Sequence, residues 1–153
     1  MANTYTQIHI QAVFAVQNRV SLLDKSWRGR LYQYMIAIIQ NHDHKVLSIG
    51  GTEDHVHILF GQRPTHKTSD LIMQVKRDSS EWINENNFVS GRFNWQEGYG
   101  AFSHDKFRIP VLVKYIENQE KHHKKRSFRE EYIEILKKLG IDYNPKYMFH
   151  DID

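Results

Sequence analysis

The stretch Lys45-Val-Leu-Ser-Ile-Gly-Gly-Thr-Glu-Asp-His-Val-His-Ile-Leu-Phe60 predicts a β-hairpin. Residues 45–50 and 55–60 have the composition and apolar pattern of strands, and residues 50–54 form the turn between them. His55 and His57 are two positions apart in the second strand, so their side chains project from one face of the sheet. The hairpin therefore presents two imidazoles together on a stiff element.

The segments around the hairpin complete a split βαβ pattern. An alternating strand over residues 5–16 and a helix over 24–41 precede it, and a helix over about 68–86 and an aromatic strand over 93–103 follow it. Asp24 is the expected cap of the first helix, and Thr68 or Ser69 that of the second. This order predicts an α+β, ferredoxin-like (RRM-like) βαββαβ fold, with an antiparallel sheet and helices on one face.

The C-terminal third predicts two more helices, over about 108–125 and 128–139, the second ended by Gly140. We expect a single domain over residues 1–153, with a core of about 5–104 and a C-terminal extension of about 105–153. These boundaries place the candidate chemistry both on the sheet and on the extension.

Composition restricts the classes of protein. The chain has 153 residues, no cysteine, a formal net charge of +3 and a pI near 9.0. The absence of cysteine excludes disulfides, thiolate metal sites and cysteine nucleophiles. No apolar stretch approaches the ~20 residues that span a bilayer, and the N-terminus lacks the pattern of a secretory signal. We therefore expect a cytoplasmic protein with no membrane association.

Two H-x-H pairs occur, and their contexts differ. His42 and His44 lie where a helix ends, a position at which basic side chains complement the helix dipole, so we interpret them as structural. His55 and His57 have a spacing suited to one metal ion. The same spacing also fits two histidines on the solvated face of a sheet.

The helix over 108–125 offers partners for this pair. Tyr115 and Gln119 are four residues apart and share one helical face. A tyrosine has a pKa of about 10 and needs a nearby base or cation to act as a nucleophile at neutral pH. Without a functional role, Tyr115 would be a half-buried helical tyrosine and Gln119 a surface amide.

These residues resemble the single-tyrosine HUH transposases, the small enzymes of insertion sequence 200/605-type elements. HUH denotes His-hydrophobic-His, here His55-Val-His57. Tyr115-Ile-Glu-Asn-Gln119 is similar to the family's nucleophile helix, and Trp95-Gln-Glu-Gly-Tyr-Gly-Ala-Phe-Ser103 to the segment before it. The three motifs occur in the family's order and cover most of the chain.

The resemblance implies an enzyme that cleaves and rejoins single-stranded DNA at hairpins that mark element ends. Tyr115 would form a 5′-phosphotyrosine intermediate, and His55, His57 and Gln119 would bind Mg²⁺ or Mn²⁺. It also implies a homodimer, in which the tyrosine helix can complete the partner's site in trans. No second tyrosine lies close to Tyr115 on its helix, which favours the single-tyrosine group.

Basic side chains supply candidate DNA contacts, since phosphates dominate the affinity of proteins for nucleic acids. The candidates are Lys76, Arg77, Lys121, His122, His123, Lys124, Lys125 and Arg126. Each also fits a solvated helix surface, and Trp95 and Tyr99 fit either base stacking or core packing. Two other functions stay open: a non-catalytic single-stranded nucleic-acid-binding protein of the same fold, and a metal-dependent phosphodiesterase in which water attacks.

Overall fold

The computed structural model describes residues 3–18, 21–123 and 126–149, without the side chains of His122 and His123. The strands are β1 (His9–Ala15), β2 (Lys45–Gly51), β3 (His55–Gly61) and β4 (Gly100–His104). The α-helices are α1 (Lys25–Asn41), α2 (Thr68–Glu85), α3 (Ile109–Glu117), α4 (Gln119–His123) and α5 (Phe128–Lys138). Short 3-10 turns, Lys106–Arg108 and Pro145–Tyr147, precede α3 and follow α5.

The four strands form one antiparallel sheet in the order β2-β3-β1-β4. The sequence βαββαβ with β1 and β3 at the centre is the ferredoxin-like arrangement, as predicted from the order of elements. His57 pairs with Val13 of β1 and with Gly50 of β2, so this histidine lies at the middle of the sheet.

One face of the sheet is covered by α1 and α2. Ala12 and Phe14 from β1 join Val56, Ile58 and Phe60 from β3 in a buried core. The buried stripes of both helices complete this core, and each fully buried large apolar side chain contributes about 1.5–3 kcal/mol. Alternate residues of β3 therefore leave His55, His57 and Leu59 on the other face.

The opposite face of the sheet carries α3. Leu59 packs with Leu112 and Ile116 in a second, smaller buried cluster. Gly50 allows this close approach, because a Cβ added there would lie 2.5 Å from the carbonyl oxygen of Ile116. The missing side chain on β2 thus sets the height at which α3 lies above the two histidines.

Several predicted element boundaries are wrong. The strand predicted over residues 93–103 begins only at Gly100, after Gly98 with φ +86° and a single bridge between Val16 and Trp95. The helix predicted over 108–125 is divided at Asn118, which has φ −100° and ψ 19°. Lys67 precedes α2 without a side-chain cap, so neither Thr68 nor Ser69 has the predicted capping role.

Other local predictions are confirmed. The Asp24 carboxylate accepts a hydrogen bond from the Ser26 backbone at 2.8 Å and caps α1. Gly140 has φ +67° directly after α5, as expected of a glycine that ends a helix. Among the described residues, no helix combines the length and apolar character needed to cross a membrane.

Candidate active site

A buried polar cluster lies between the sheet and the C-terminal helices. It contains His55 and His57 from β3 and Glu131 from α5, all with 0% exposure, whose ligand atoms lie within 4.8 Å of one another. The Tyr115 hydroxyl donates a hydrogen bond to Glu131 Oε2. Gln119 Oε1 lies 2.9 Å from His55 Nε2. The structure thus brings together all four predicted site residues, and it excludes a solvated position for the histidine pair.

Glu131 is the member of the cluster that the sequence analysis missed. Its Oε1 lies 3.0 Å from His57 Nε2 and 3.7 Å from His55 Nε2. The available signal was weak: an acidic residue lies within the apolar stripe that Phe128 and Tyr132 form on α5. One charged residue in such a stripe does not by itself indicate a ligand.

His55 is oriented by the turn that precedes it. Its Nδ1 lies 2.7 Å from Asp54 Oδ1 and 3.0 Å from Thr52 Oγ1. An Nδ1–H that donates to Asp54 leaves a lone pair on Nε2, which faces the oxygen of Gln119. In this amide orientation two acceptor atoms lie in contact and could bind one cation, whereas a half-turn of the Gln119 amide would let its nitrogen donate to His55 Nε2.

His57 is oriented by β1. Its Nδ1 lies 3.0 Å from the amide nitrogen of Gln11, whose oxygen lies 3.0 Å from His104 Nε2. With this amide orientation, His57 Nε2–H donates to Glu131. A half-turn of the Gln11 amide would let its oxygen accept from Nδ1–H instead, and His57 Nε2 would then offer a lone pair to a cation.

Tyr115 is held protonated by its surroundings. Burial raises its pKa well above the usual value of about 10, and the charge of Glu131 and the hydrogen bond to it act in the same direction. Gln119 and Arg126 act in the opposite direction but do not reverse the shift. The phenol is therefore a weak nucleophile until the negative charge of Glu131 is compensated.

Aromatic packing brings α5 to this position. Phe128 stacks on the His55 ring with centroids 4.4 Å apart and planes at 21°. Tyr132 packs against Phe149 and, through Gly100, against β4, where an added Cβ would lie 2.8 Å from the tyrosine ring. Glu131, between these two aromatic contacts in the chain, is thereby directed at the histidines.

Ion pairs anchor α4 to α1. Glu120 accepts a hydrogen bond from the nearly buried Arg28 and lies 3.2 Å from Lys25 Nζ. Arg28 also donates to the backbone oxygen of Leu23 at 3.2 Å. These contacts hold the neighbouring Gln119 in the buried cluster even though the helix is interrupted at residue 118.

The candidate DNA-contacting residues are dispersed. Lys76 donates to the backbone oxygens of Gln96 and Gly98, each at 2.8 Å, and so tethers the loop before β4. Arg77 pairs with Asp78, and Arg126 with Glu134. Lys121 is exposed on α4, whereas Lys124, Lys125 and the side chains of His122 and His123 lie outside the described residues.

Of the remaining aromatic and histidine candidates, Trp95 and His44 have structural partners. Trp95 is buried against Phe14 and donates from Nε1 to Ser79 Oγ, whereas Tyr99 is 38% exposed. His44 Nε2 lies 2.8 Å from His66 Nδ1. The pair His42 and His44, which the sequence analysis interpreted as structural, is thus separate from the cluster around His55.

Residues 4–119 match the protein family described as "Transposase IS200 like". The chain belongs to the IS200-like transposases. This family acts on DNA, and the matched segment contains His55, His57, Tyr115 and Gln119. Glu131 and the rest of α5 lie beyond the matched segment of this transposase.

Two solved structures share the fold of this transposase. One is a candidate transposase from Deinococcus radiodurans R1, with 19% identity, a TM-score of 0.59 and coverage of 78% of this chain and 96% of that chain. The other is a REP-associated tyrosine transposase bound to a REP hairpin, with 13% identity, a TM-score of 0.60 and coverage of 80% and 73%. No functionally curated protein matches the chain.

Proposed function

We propose that this transposase cleaves and rejoins single-stranded DNA with Tyr115 as its nucleophile. The observation that carries the proposal is the hydrogen bond from the Tyr115 hydroxyl to Glu131, within reach of both imidazoles. The Tyr115 hydroxyl gives its proton to Glu131 as its oxygen forms a bond to phosphorus. The bond from phosphorus to the 3′-oxygen breaks, and that oxygen takes up a proton. The products are a 5′-phosphotyrosine and a free 3′-hydroxyl, and attack by a 3′-hydroxyl reverses the step.

The donor set suits a divalent cation. His55, His57, Gln119 and Glu131 offer two imidazole nitrogens, an amide oxygen and a carboxylate oxygen, a mixture compatible with Mn²⁺ or Mg²⁺. When bound, the cation would neutralise charge on the phosphodiester and compensate the charge of Glu131. With its oxygen directed at His55 Nε2, as here at 2.9 Å, Gln119 could bind the same cation as the histidine.

The protein's own groups prepare the reaction. Asp54 and Gln11 fix the ring orientations of His55 and His57. Glu131 holds the phenolic proton of Tyr115 at a defined atom, and Phe128 shields the His55 ring from water.

Hairpin DNA is the proposed substrate, and a homodimer the proposed assembly. The structurally similar REP-associated transposase is bound to a REP hairpin, which supports the choice of substrate. The dimer follows from family resemblance, and a monomeric mass in light scattering at working concentration would refute it.

The test uses 3′-labelled single-stranded DNA that contains a hairpin, with Mn²⁺, and a denaturing gel. We expect the labelled DNA to become attached to the wild-type protein. A chelator should abolish this attachment, and the Tyr115→Phe variant should show none. Tyr147→Phe is the matched control, because Tyr147 is 79% exposed, whereas the cluster is buried. Cleavage without attachment would instead indicate a phosphodiesterase that uses water. Binding across a panel of hairpins without cleavage would indicate a nucleic-acid-binding protein.

A further inference from the structure

A groove between α3 and α5 leads from the protein surface to Tyr115. Its sides include Val111 and Leu112 from α3, Ile135 from α5 and Leu139, the C-cap of α5. Tyr115 and Glu131 line its inner part. Its volume is about 260 Å³. Binding sites for whole small molecules usually enclose ~300–1,000 Å³. The groove therefore fits one residue of a polymer better than a free ligand.

The walls of the groove are apolar but open to solvent. Val111 is 56% exposed and Leu139 is 45% exposed, and they lie on α3 and at the end of α5. Paired apolar side chains on two sides of a narrow groove can contact both faces of a flat group. A nucleobase has two such faces, and contacts of this kind do not depend strongly on base identity.

Basic side chains outnumber acidic ones at the rim of the groove, where Arg108, Arg126 and Lys138 lie with the exposed Glu134. Arg108 precedes α3 and Lys138 ends α5, and both line the groove and are exposed. Neither forms an ion pair with another residue in the described part of the chain, in contrast to Arg126, which pairs with Glu134. The two cations are thus available for phosphates on either side of a base.

We propose that this groove holds one nucleotide of the DNA strand next to the phosphodiester that Tyr115 attacks. The base lies between Val111 and Leu139, and Arg108 and Lys138 contact the flanking phosphates. This assignment rests on the proposed function and specifies the path of the strand at the nucleophile. It replaces Lys76 as a DNA contact, because the Lys76 ammonium group is already bound to two backbone oxygens.

Matched charge reversals test the proposal. Arg108→Glu is compared with Lys106→Glu, a charge reversal in the same 3-10 turn. Lys138→Glu is compared with Lys137→Glu on the same helix. Lys106 and Lys137 are suitable controls because neither residue lines the groove. The background is Tyr115→Phe, so that only binding is measured, by fluorescence anisotropy with a short mixed-sequence single-stranded oligodeoxynucleotide. Each groove variant should bind the oligodeoxynucleotide roughly tenfold more weakly than its control. In a plot of log affinity against log salt concentration, the slope of each groove variant should be smaller in magnitude by about 0.7–1, because one phosphate contact is lost.

The apolar walls have their own control pair. Val111→Gln should weaken binding by roughly threefold, because it removes apolar contact with the base. Met73→Gln, at a 60% exposed apolar position on α2, should have no effect. Together with the charge reversals, this result would show that a base as well as phosphates occupies the groove.

Three outcomes would overturn the proposal: equal losses in groove variants and controls, no loss in either, or a change in oligomeric state without a change in DNA affinity. The last outcome would identify the groove as a protein interface. The wild-type attachment assay is separate. Attachment of DNA to Tyr115 together with unaltered binding by the groove variants would refute the groove alone. Absence of attachment would refute the proposed chemistry, and the binding result would still decide the groove.

Discussion

Replacing Glu131 by glutamine removes one negative charge from the buried cluster and keeps the shape of the side chain. In the wild-type protein, the carboxylate accepts from Tyr115 and His57 and lies within 4.8 Å of both histidine ligand atoms. The amide can still accept from Tyr115 but offers a cation no charge. We expect the affinity for Mn²⁺ to fall by about 10–100-fold, the range found when groups that support a metal site are removed.

The size of the effect follows from linkage. Mn²⁺ at 100 times its dissociation constant stabilises the folded protein by about 2.7 kcal/mol. For a chain of this length, 1 kcal/mol shifts the melting temperature by about 2–4 °C, so the wild-type protein should gain about 5–11 °C. With 100-fold weaker binding, the same Mn²⁺ concentration contributes about 0.4 kcal/mol, or about 1–2 °C.

The measurement is thermal unfolding of both proteins with and without Mn²⁺, at equal concentrations. Glu134→Gln is the matched control, since it removes the same charge one helical turn further along α5 and its carboxylate pairs with Arg126 at the surface. It should keep the full Mn²⁺-dependent shift. An equally large shift in Glu131→Gln would refute the reasoning, because the carboxylate would then contribute nothing to cation binding.

Three further predictions concern orientation, packing and pH. Asp54→Asn should weaken Mn²⁺ binding about 10–100-fold in calorimetric titration, whereas Glu53→Gln should not, because only the former removes the carboxylate on the His55 ring. Gly50→Ala should cost about 1–3 kcal/mol in denaturant unfolding, since its Cβ would meet the backbone of α3, whereas Gly61→Ala leaves 3.8 Å and should cost less. Burial raises the pKa of Tyr32 to about 12, so folding stability should fall between pH 10 and 12, where only the unfolded chain ionises this group. Tyr32→Phe should reduce that loss in unfolding measured across the same pH range, and an unchanged pH profile would contradict the assignment.

Sequence spacing predicted the parts of the site that are fixed locally. The alternation of β3 determines that His55 and His57 share a face, and the registers with β1 and β2 confirm that face as the one opposite α1 and α2. Four-residue spacing also related Tyr115 to Gln119. The interruption at Asn118 was not predicted, but ion pairs of Glu120 with α1 keep Gln119 beside His55.

Long-range packing decided what the sequence did not predict. Glu131 reaches the histidines because Phe128 stacks on His55 and Tyr132 fits against Gly100, contacts between residues far apart in the chain. No periodicity within α5 contains this information. The late start of β4 has a similar origin, because Lys76 from α2 binds the backbone oxygens of Gln96 and Gly98 between the isolated bridge at Trp95 and the first residue of the strand.

The glycine beneath α3 links the assembly of the candidate active site to correct strand pairing. Gly50 is the cross-strand partner of His57, while α3 also packs on Leu59 of the next strand. If β2 slipped by one residue against β3, every side chain of β2 would change to the other face of the sheet. The space left by Gly50 would then no longer lie next to Leu59, where α3 packs. The side chain of Tyr115 could then not reach its position beside the histidines. The buried cluster of this transposase can therefore assemble only after the sheet has formed in its native register.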